Sequence, residues 1–225
     1  SVAALVSADP ANVIFTGSGT EANNQALRAS GRKRLIVTAI EHESVLQERT
    51  EAIVCPVLSC GIVDLEALRR ILMASNEPAL IAVMAANNET GILQPIAEVA
   101  RLAEEHGALL HCDAVQAAGK IPVDMAVLGT DFIALSAHKI GGPQGVGALI
   151  CRDRRSIERF VHGGGQEGGL RAGTENVPGI VGFGVAATSA LAGLNDFAAL
   201  ARLRDDLERR AREIEPAITI FGGDL

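Results

Sequence analysis

Short apolar runs alternate with helical patterns along most of the chain. Asn12 to Thr16 reads as a strand, and Thr20 to Ser30 as a helix with Ala22, Ala26 and Ala29 on one face and Gly31 as its stop. Arg34 to Thr38 is a strand and Glu43 to Glu51 a helix. Ala52 to Leu58 is a strand that Pro56 confines to an edge. Asp64 caps a helix carrying Leu65, Leu68 and Leu72. Ala79 to Ala85 is continuously apolar, as expected of a strand covered on both faces. Pro95 opens a helix that runs to His106 and stops at Gly107. Ala108 to Cys112, Asp131 to Ser136 and Val146 to Cys151 are further strands. This alternation predicts an α/β fold, a mostly parallel sheet flanked by helices. After Asn176 come an apolar small-residue helix, Gly179 to Leu194, expected to pack internally, and a second from Asp196 to Ile214 with Leu200, Leu203 and Leu207 on one face. Ala217 to Phe221 reads as a last strand.

Composition narrows the classes. The chain has 225 residues, 48% hydrophobic and 21% charged, which excludes a disordered chain and allows one large or two small domains. A net charge of -7 argues against nucleic acid as a partner. The longest apolar stretch is shorter than a membrane span needs, so no membrane is expected. Cys55, Cys60, Cys112 and Cys151 form no CxxC pair, and reduced thiols in a cytoplasmic protein are the expectation. The opening SVAALVSADP has neither the basic start nor the apolar stretch of a signal peptide, and no initiator Met, so the chain reads as processed or excerpted.

The polar clusters fall at the carboxyl ends of the strands, where open parallel sheets bind ligands. Gly17-Ser18-Gly19-Thr20-Glu21 precedes a helix and makes an anion site, or else a tight turn with Thr20 as N-cap. The motif lacks the lysine of a nucleotide triphosphatase loop. Glu41 and His42 follow the second strand, and Asn87 to Gly91, able simply to cap a turn, follow the run at 79–85. Asp113 and Gln116 follow the strand at 108–112. Ser136, His138 and Lys139 follow the run at 131–135 and precede a glycine-rich loop. Only three lysines occur; Lys33 lies in a basic turn and Lys120 in a loop, so Lys139 has the setting of a functional amine. The set suits a phosphorylated aromatic aldehyde: a lysine condenses with the aldehyde, an aspartate holds a pyridinium proton, and a helix N-terminus with hydroxyls holds phosphate. No metal is expected, because the five histidines have no ligand spacing with the cysteines. His111 and Asp113 share a strand face only if that strand reaches Asp113.

Phe15 to Asn24, Glu41-His42, Asn87 to Gly91, Asp113-Ala114-Val115-Gln116 and Ser136-Ala137-His138-Lys139 resemble the cysteine desulfurases, class V pyridoxal-phosphate enzymes of the aspartate aminotransferase fold (fold type I). Gly163 to Glu167 and Leu170 to Asn176 are similar to the branch serving iron–sulfur assembly and nitrogen fixation. The resemblance implies a large cofactor-binding domain over 1–176, with 177–225 as linking helices and the start of a small domain largely absent. It implies that pyridoxal 5'-phosphate is bonded to Lys139, that Asp113 pairs with the ring nitrogen and Gln116 with the ring hydroxyl, and that His42 stacks on the ring and assists proton transfer. Gly19, Thr20, Ser136 and His138 would bind phosphate, Asn88 would sit near the cofactor hydroxyl and substrate, and Thr174 would reach the phosphate of a partner subunit in a homodimer. The implied reaction turns L-cysteine into L-alanine and an enzyme-bound persulfide, which passes to an acceptor such as an iron–sulfur scaffold protein. The family's persulfide-forming cysteine and carboxylate-binding arginine are expected beyond Leu225, the family's opening segment is absent, and the stretch from His42 to Asp64 is shorter than usual. The remaining readings are a non-catalytic cofactor-binding fragment, another class V enzyme, and a Rossmann dehydrogenase, which lacks its GxGxxG here.

Overall fold

Among the described residues, seven strands form one sheet: β1 (Val13–Thr16), β2 (Arg34–Thr38), β3 (Ile53–Cys55), β4 (Ala79–Met84), β5 (Leu109–Asp113), β6 (Phe132–Ser136) and β7 (Gly147–Cys151). Their spatial order is β1-β7-β6-β5-β4-β2-β3 in this computed structural model, which describes residues 1–48 and 51–223. β2 to β6 pair in parallel, while β7 runs against both of its neighbours, β6 and β1. The sheet is therefore mostly parallel, with one reversed strand. The reversal follows from length: the ten residues between Ser136 and Gly147 are fewer than a parallel crossover needs.

The helices are α1 (Gly19–Ala29), α2 (Glu43–Leu46), α3 (Leu65–Met73), α4 (Ile96–Glu105), α5 (Met125–Leu128), α6 (Val177–Ala192), α7 (Leu194–Ala199) and α8 (Ala201–Ile214). Strand side chains alternate between two cores. Ile36, Ile81, Val83, Leu110, Ile133 and Ile150 pack with α3, α4 and α6. Leu35, Val37, Leu80, Ala82, Phe132 and Leu149 pack with α1. β4 is buried along its whole length, which accounts for its unbroken apolar run. Asp64 caps α3 by accepting from the Ala67 N–H, and Gly107 takes φ +63° just past α4. β3 is the edge strand that Pro56 foretold, and it ends before that proline.

Several expectations need correction. Ser18, not Thr20, caps α1: its Oγ accepts from the Glu21 N–H at 3.1 Å. The helix expected over 43–51 is a single turn closed at Gln47; Arg49 and Thr50 lie outside the described residues. The helix expected over 196–214 is two, meeting at Leu200. Leu200, Leu203 and Leu207 remain exposed. Residues 217–221 form no strand, because the segment faces the 57–61 loop across a cleft rather than a free sheet edge. α6 is internal on one face only: Phe183 and Ala187 are fully buried in the core, whereas Val177, Val181 and Val185 are exposed. Among the described residues no single helix is long and apolar enough to cross a membrane; α6 passes by length and composition only when joined to 194–214, as a pair bent by 56°.

Candidate active site

The parallel strands and β1 point the same way, so their carboxyl ends share one rim. There the loops enclose a cavity of about 310 Å³. Gly19, Thr20, His42, Asn88, Asp113, Gln116, Ser136, His138 and Lys139 all line it. Thr174 does not: it lies in a separate small cleft with Gly17, Glu167 and Arg171.

The end of the cavity at α1 offers donors suited to an anion. With Ser18 capping α1, the Gly19 and Thr20 amides begin the helix without intrahelical acceptors. Ser136 Oγ lies 2.9 Å from His138 Nδ1 at the end of β6. Three short-range fits hold this end together. A Cβ on Gly19 would come within 2.9 Å of Val115 Cγ2 and 3.2 Å of Ser136 Cβ. A Cβ on Gly147 would come within 2.4 Å of the Ser18 carbonyl carbon. Thr16 Oγ1 donates to the Ser18 carbonyl at 2.8 Å. The loop is also tied from outside: Glu21 Oε2 accepts from the Gly17 N–H at 2.7 Å, and Arg171 holds both oxygens of the same carboxylate, at 2.7 and 3.2 Å.

Asp113 lines the same cavity. β5 does reach this residue, so His111 and Asp113 lie on one face. Asp113 Oδ1 accepts from the Val115 N–H at 2.9 Å, and Oδ2 accepts from Asn23 Nδ2 at 2.7 Å. Burial pushes the Asp113 carboxyl above its usual range; the bonds from Asn23 and Val115 oppose that rise. Beside it, burial pushes Glu41 up to about 8, with the Asp113 charge adding to the rise and bonds from Thr38 and the Met84 N–H opposing it.

His42 is the N-cap of α2. Its Nδ1 accepts from the Ser44 N–H at 3.1 Å and lies 2.8 Å from Ser44 Oγ. That leaves Nε2 as the protonated nitrogen. Gln116 is oriented by Lys120, whose Nζ donates to the Gln116 carbonyl at 2.9 Å and to Oε1 at 3.3 Å. The Gln116 Nε2 is thereby the group available to a ligand oxygen. Lys120 itself is lowered by burial and by the nearby Lys139 charge. Asn87 is the turn residue of its pair, with Oδ1 accepting from the Glu89 and Thr90 N–H groups at 3.0 and 2.9 Å. Asn88 is the one that faces the cavity.

Sequence reasoning missed four contributors: Asn23, Ser44, His111 and Gly147. A buried polar residue on a predicted helix face is the one signal that marks such positions, and Asn23 interrupts the alanine face of α1 in that way.

The thiols are elsewhere. Burial pushes Cys55 up to about 11, Cys151 up to about 12, and Cys112 well above its usual range. Cys60 is half-buried beside the 57–61 cleft.

Comparison with known proteins gives concordant matches. Residues 1–214 match the aminotransferase class-V family. A cysteine desulfurase of Cereibacter sphaeroides is 42% identical over 95% of this chain and 57% of its own length. The mitochondrial cysteine desulfurase of Arabidopsis thaliana is 42% identical over 84% of this chain and 45% of its own. Among solved structures, a NifS-like protein from Rickettsia africae superposes with a TM-score of 0.93 at 34% identity, covering 100% of this chain and 64% of that one. SspA in complex with cysteine superposes with a TM-score of 0.75 at 34% identity, over 83% of this chain and 58% of that one. The chain thus spans a little over half the length of the first of these relatives. A family match covering all but the last eleven residues, on a sheet whose strand ends carry the matched motifs, decides the matter: the chain belongs to the aminotransferase class-V family.

Proposed function

We propose that this chain forms the pyridoxal-phosphate site of a cysteine desulfurase, which takes sulfur from L-cysteine, leaves L-alanine and passes the sulfur as a persulfide to an acceptor protein. The observation that carries this reading is that Lys139, Asp113 and the N-terminus of α1 open into one cavity. The cavity suits the cofactor chemically: an amine, a buried carboxylate and an anion cradle are set around a space bounded closely at Gly19. Pyridoxal phosphate, when bound, supplies an aldehyde for an amine and a ring that takes up an electron pair from the substrate carbon.

The residues divide the work. The Gly19 and Thr20 amides, Ser136 and His138 hold the phosphate. Asp113 accepts the ring N–H and keeps that proton in place. Gln116 donates from Nε2 to the ring oxygen, and Asn88 lies beside the substrate. Lys139 Nζ offers the amine and moves a proton at the substrate carbon. His42, whose Nε2 carries the free proton, would cover the cofactor ring. The high thiol pKa values at Cys55, Cys112 and Cys151 leave little thiolate, which supports a sulfur-attacking thiolate that is none of these.

The wider setting of this reading is a cytoplasmic homodimer serving iron–sulfur assembly. Thr174 stands outside its own chain's cavity, as a residue reaching a partner subunit's phosphate would. The test is incubation of the whole protein with L-cysteine and a reductant: alanine and sulfide should form in equal amounts. A cofactor-loaded protein that leaves L-cysteine intact while consuming another amino acid would overturn the reading.

A further inference from the structure

Two buried side chains, one of them lining the cavity, have no role in that account. Asn23, on α1, is 1% exposed and His111, on β5, is fully buried. They touch each other: His111 Nε2 is 2.8 Å from Asn23 Oδ1.

The hydrogen bonds can be oriented by elimination. An ionised carboxylate only accepts, so Asn23 presents its NH2 to Asp113 Oδ2, at 2.7 Å. Its oxygen then faces His111, which has to carry its proton on Nε2. Burial lowers His111 to about 3, so the ring is neutral, and its buried Nδ1 has no partner among the described residues. The second hydrogen of Asn23 Nδ2 goes to Ser44 Oγ at 2.8 Å, and the Ser44 hydroxyl is left to donate to His42 Nδ1 at 2.8 Å. Polarity runs one way, from His111 through Asn23 to both Asp113 and His42. Asn24 pins the same turn by donating to the Ser44 carbonyl at 2.7 Å. The bonds linking His111, Asn23, Ser44, Asp113 and His42 fix the donor and acceptor sense of each link.

We infer that Asn23, oriented by His111, is a positioning residue that aims the Asp113 carboxylate at the ring nitrogen of pyridoxal phosphate and, through Ser44, sets the tautomer of His42. This inference rests on the cofactor reading above and deepens it. A hydrogen bond to a charged group typically contributes about 1.5–3 kcal/mol, so losing it lowers a ring-nitrogen-dependent affinity by roughly tenfold or more.

The test compares binding of pyridoxal phosphate and of its 1-deaza analogue, which lacks the ring nitrogen, to the apo-protein by equilibrium dialysis. The parent protein should prefer the natural cofactor. His111→Phe keeps the ring bulk and loses the donor, and Asn23→Ala removes the hub; in both, the preference should fall about tenfold while the analogue's affinity stays near that of the parent. His111→Gln, which keeps a donor, should restore most of the preference. General damage to the fold weakens both ligands alike and leaves the ratio unmoved. A check free of substitution is the ring ¹⁵N shifts of His111 in the parent protein, which should show a neutral ring protonated on Nε2. An unchanged preference in the variants, or a His111 ring protonated on Nδ1, overturns the inference. A parent protein that binds neither ligand, or both equally, overturns the cofactor reading itself.

Discussion

Gly147 offers the sharpest test of how the anion end of the cavity is built. The residue lies on β7, opposite Thr16 of β1, where the loop into α1 crosses it. A β-carbon there would stand 2.4 Å from the Ser18 carbonyl carbon, 2.6 Å from its oxygen and 2.8 Å from the Gly19 nitrogen. All three are backbone atoms, so no side-chain rotation relieves the clash. Carbon atoms pack at about 3.5–4.0 Å, so Gly147→Ala has to displace the Ser18–Gly19 backbone by roughly 1 Å. The Ser18 cap bond, now 3.1 Å, does not survive a movement of that size in most directions. Overpacking costs about 1–3 kcal/mol and a lost cap about 1 kcal/mol. Together these lower the thermal midpoint by roughly 5–15 °C. The functional effect should be selective. Affinity for pyridoxal phosphate should fall by about 100-fold, while affinity for pyridoxal, which has no phosphate, should change little. The assay is dialysis of the apo-protein against each ligand, beside a melting curve. A Gly147→Ala protein with unaltered phosphate preference would refute the argument that this glycine seats the anion loop.

Two other substitutions probe the surroundings. Burial raises Glu41 to about 8 in the folded chain, against an ordinary value of 4.5. The folded state therefore holds a proton that the unfolded state has lost over that interval, and Glu41 removes stability progressively as pH rises from 4.5 to about 8. Glu41→Gln should gain on the parent by roughly 2 kcal/mol between pH 6 and pH 8 in denaturant titrations, and parallel stabilities would contradict the buried, protonated carboxyl. Arg171→Leu frees the Glu21 carboxylate that holds the Gly17 N–H, and should cost about 1–2 kcal/mol in urea unfolding. No loss would show that this pair does not tie the loop.

Much of the sheet was legible because a strand covered on both faces has to be apolar throughout, as Ala79–Met84 is. The cavity rim was legible for a related reason: a lysine or aspartate immediately after such a run has few structural explanations, and Lys139 and Asp113 both proved to face the cavity. The reversal of β7 depended on the short β6–β7 connection, which local periodicity does not express. The supporting shell was harder to see. Asn23 and Asp113 are 90 positions apart, and a histidine within an apolar strand looks like ordinary core until its partner is placed. Gly147 has no local signature either, since its requirement comes from the backbone of another segment. Residues 217–221 have the composition of a strand, but strand formation needs a neighbour to pair with, and sequence alone does not supply one.

The central claim is that Lys139 carries the cofactor. Reduction of the cofactor-loaded protein with tritiated borohydride, followed by digestion and peptide mapping, addresses it directly. The label should appear on the single peptide containing Lys139 and vanish in Lys139→Ala. Label on Lys120 or Lys33, or label that persists in the substituted protein, would contradict the account.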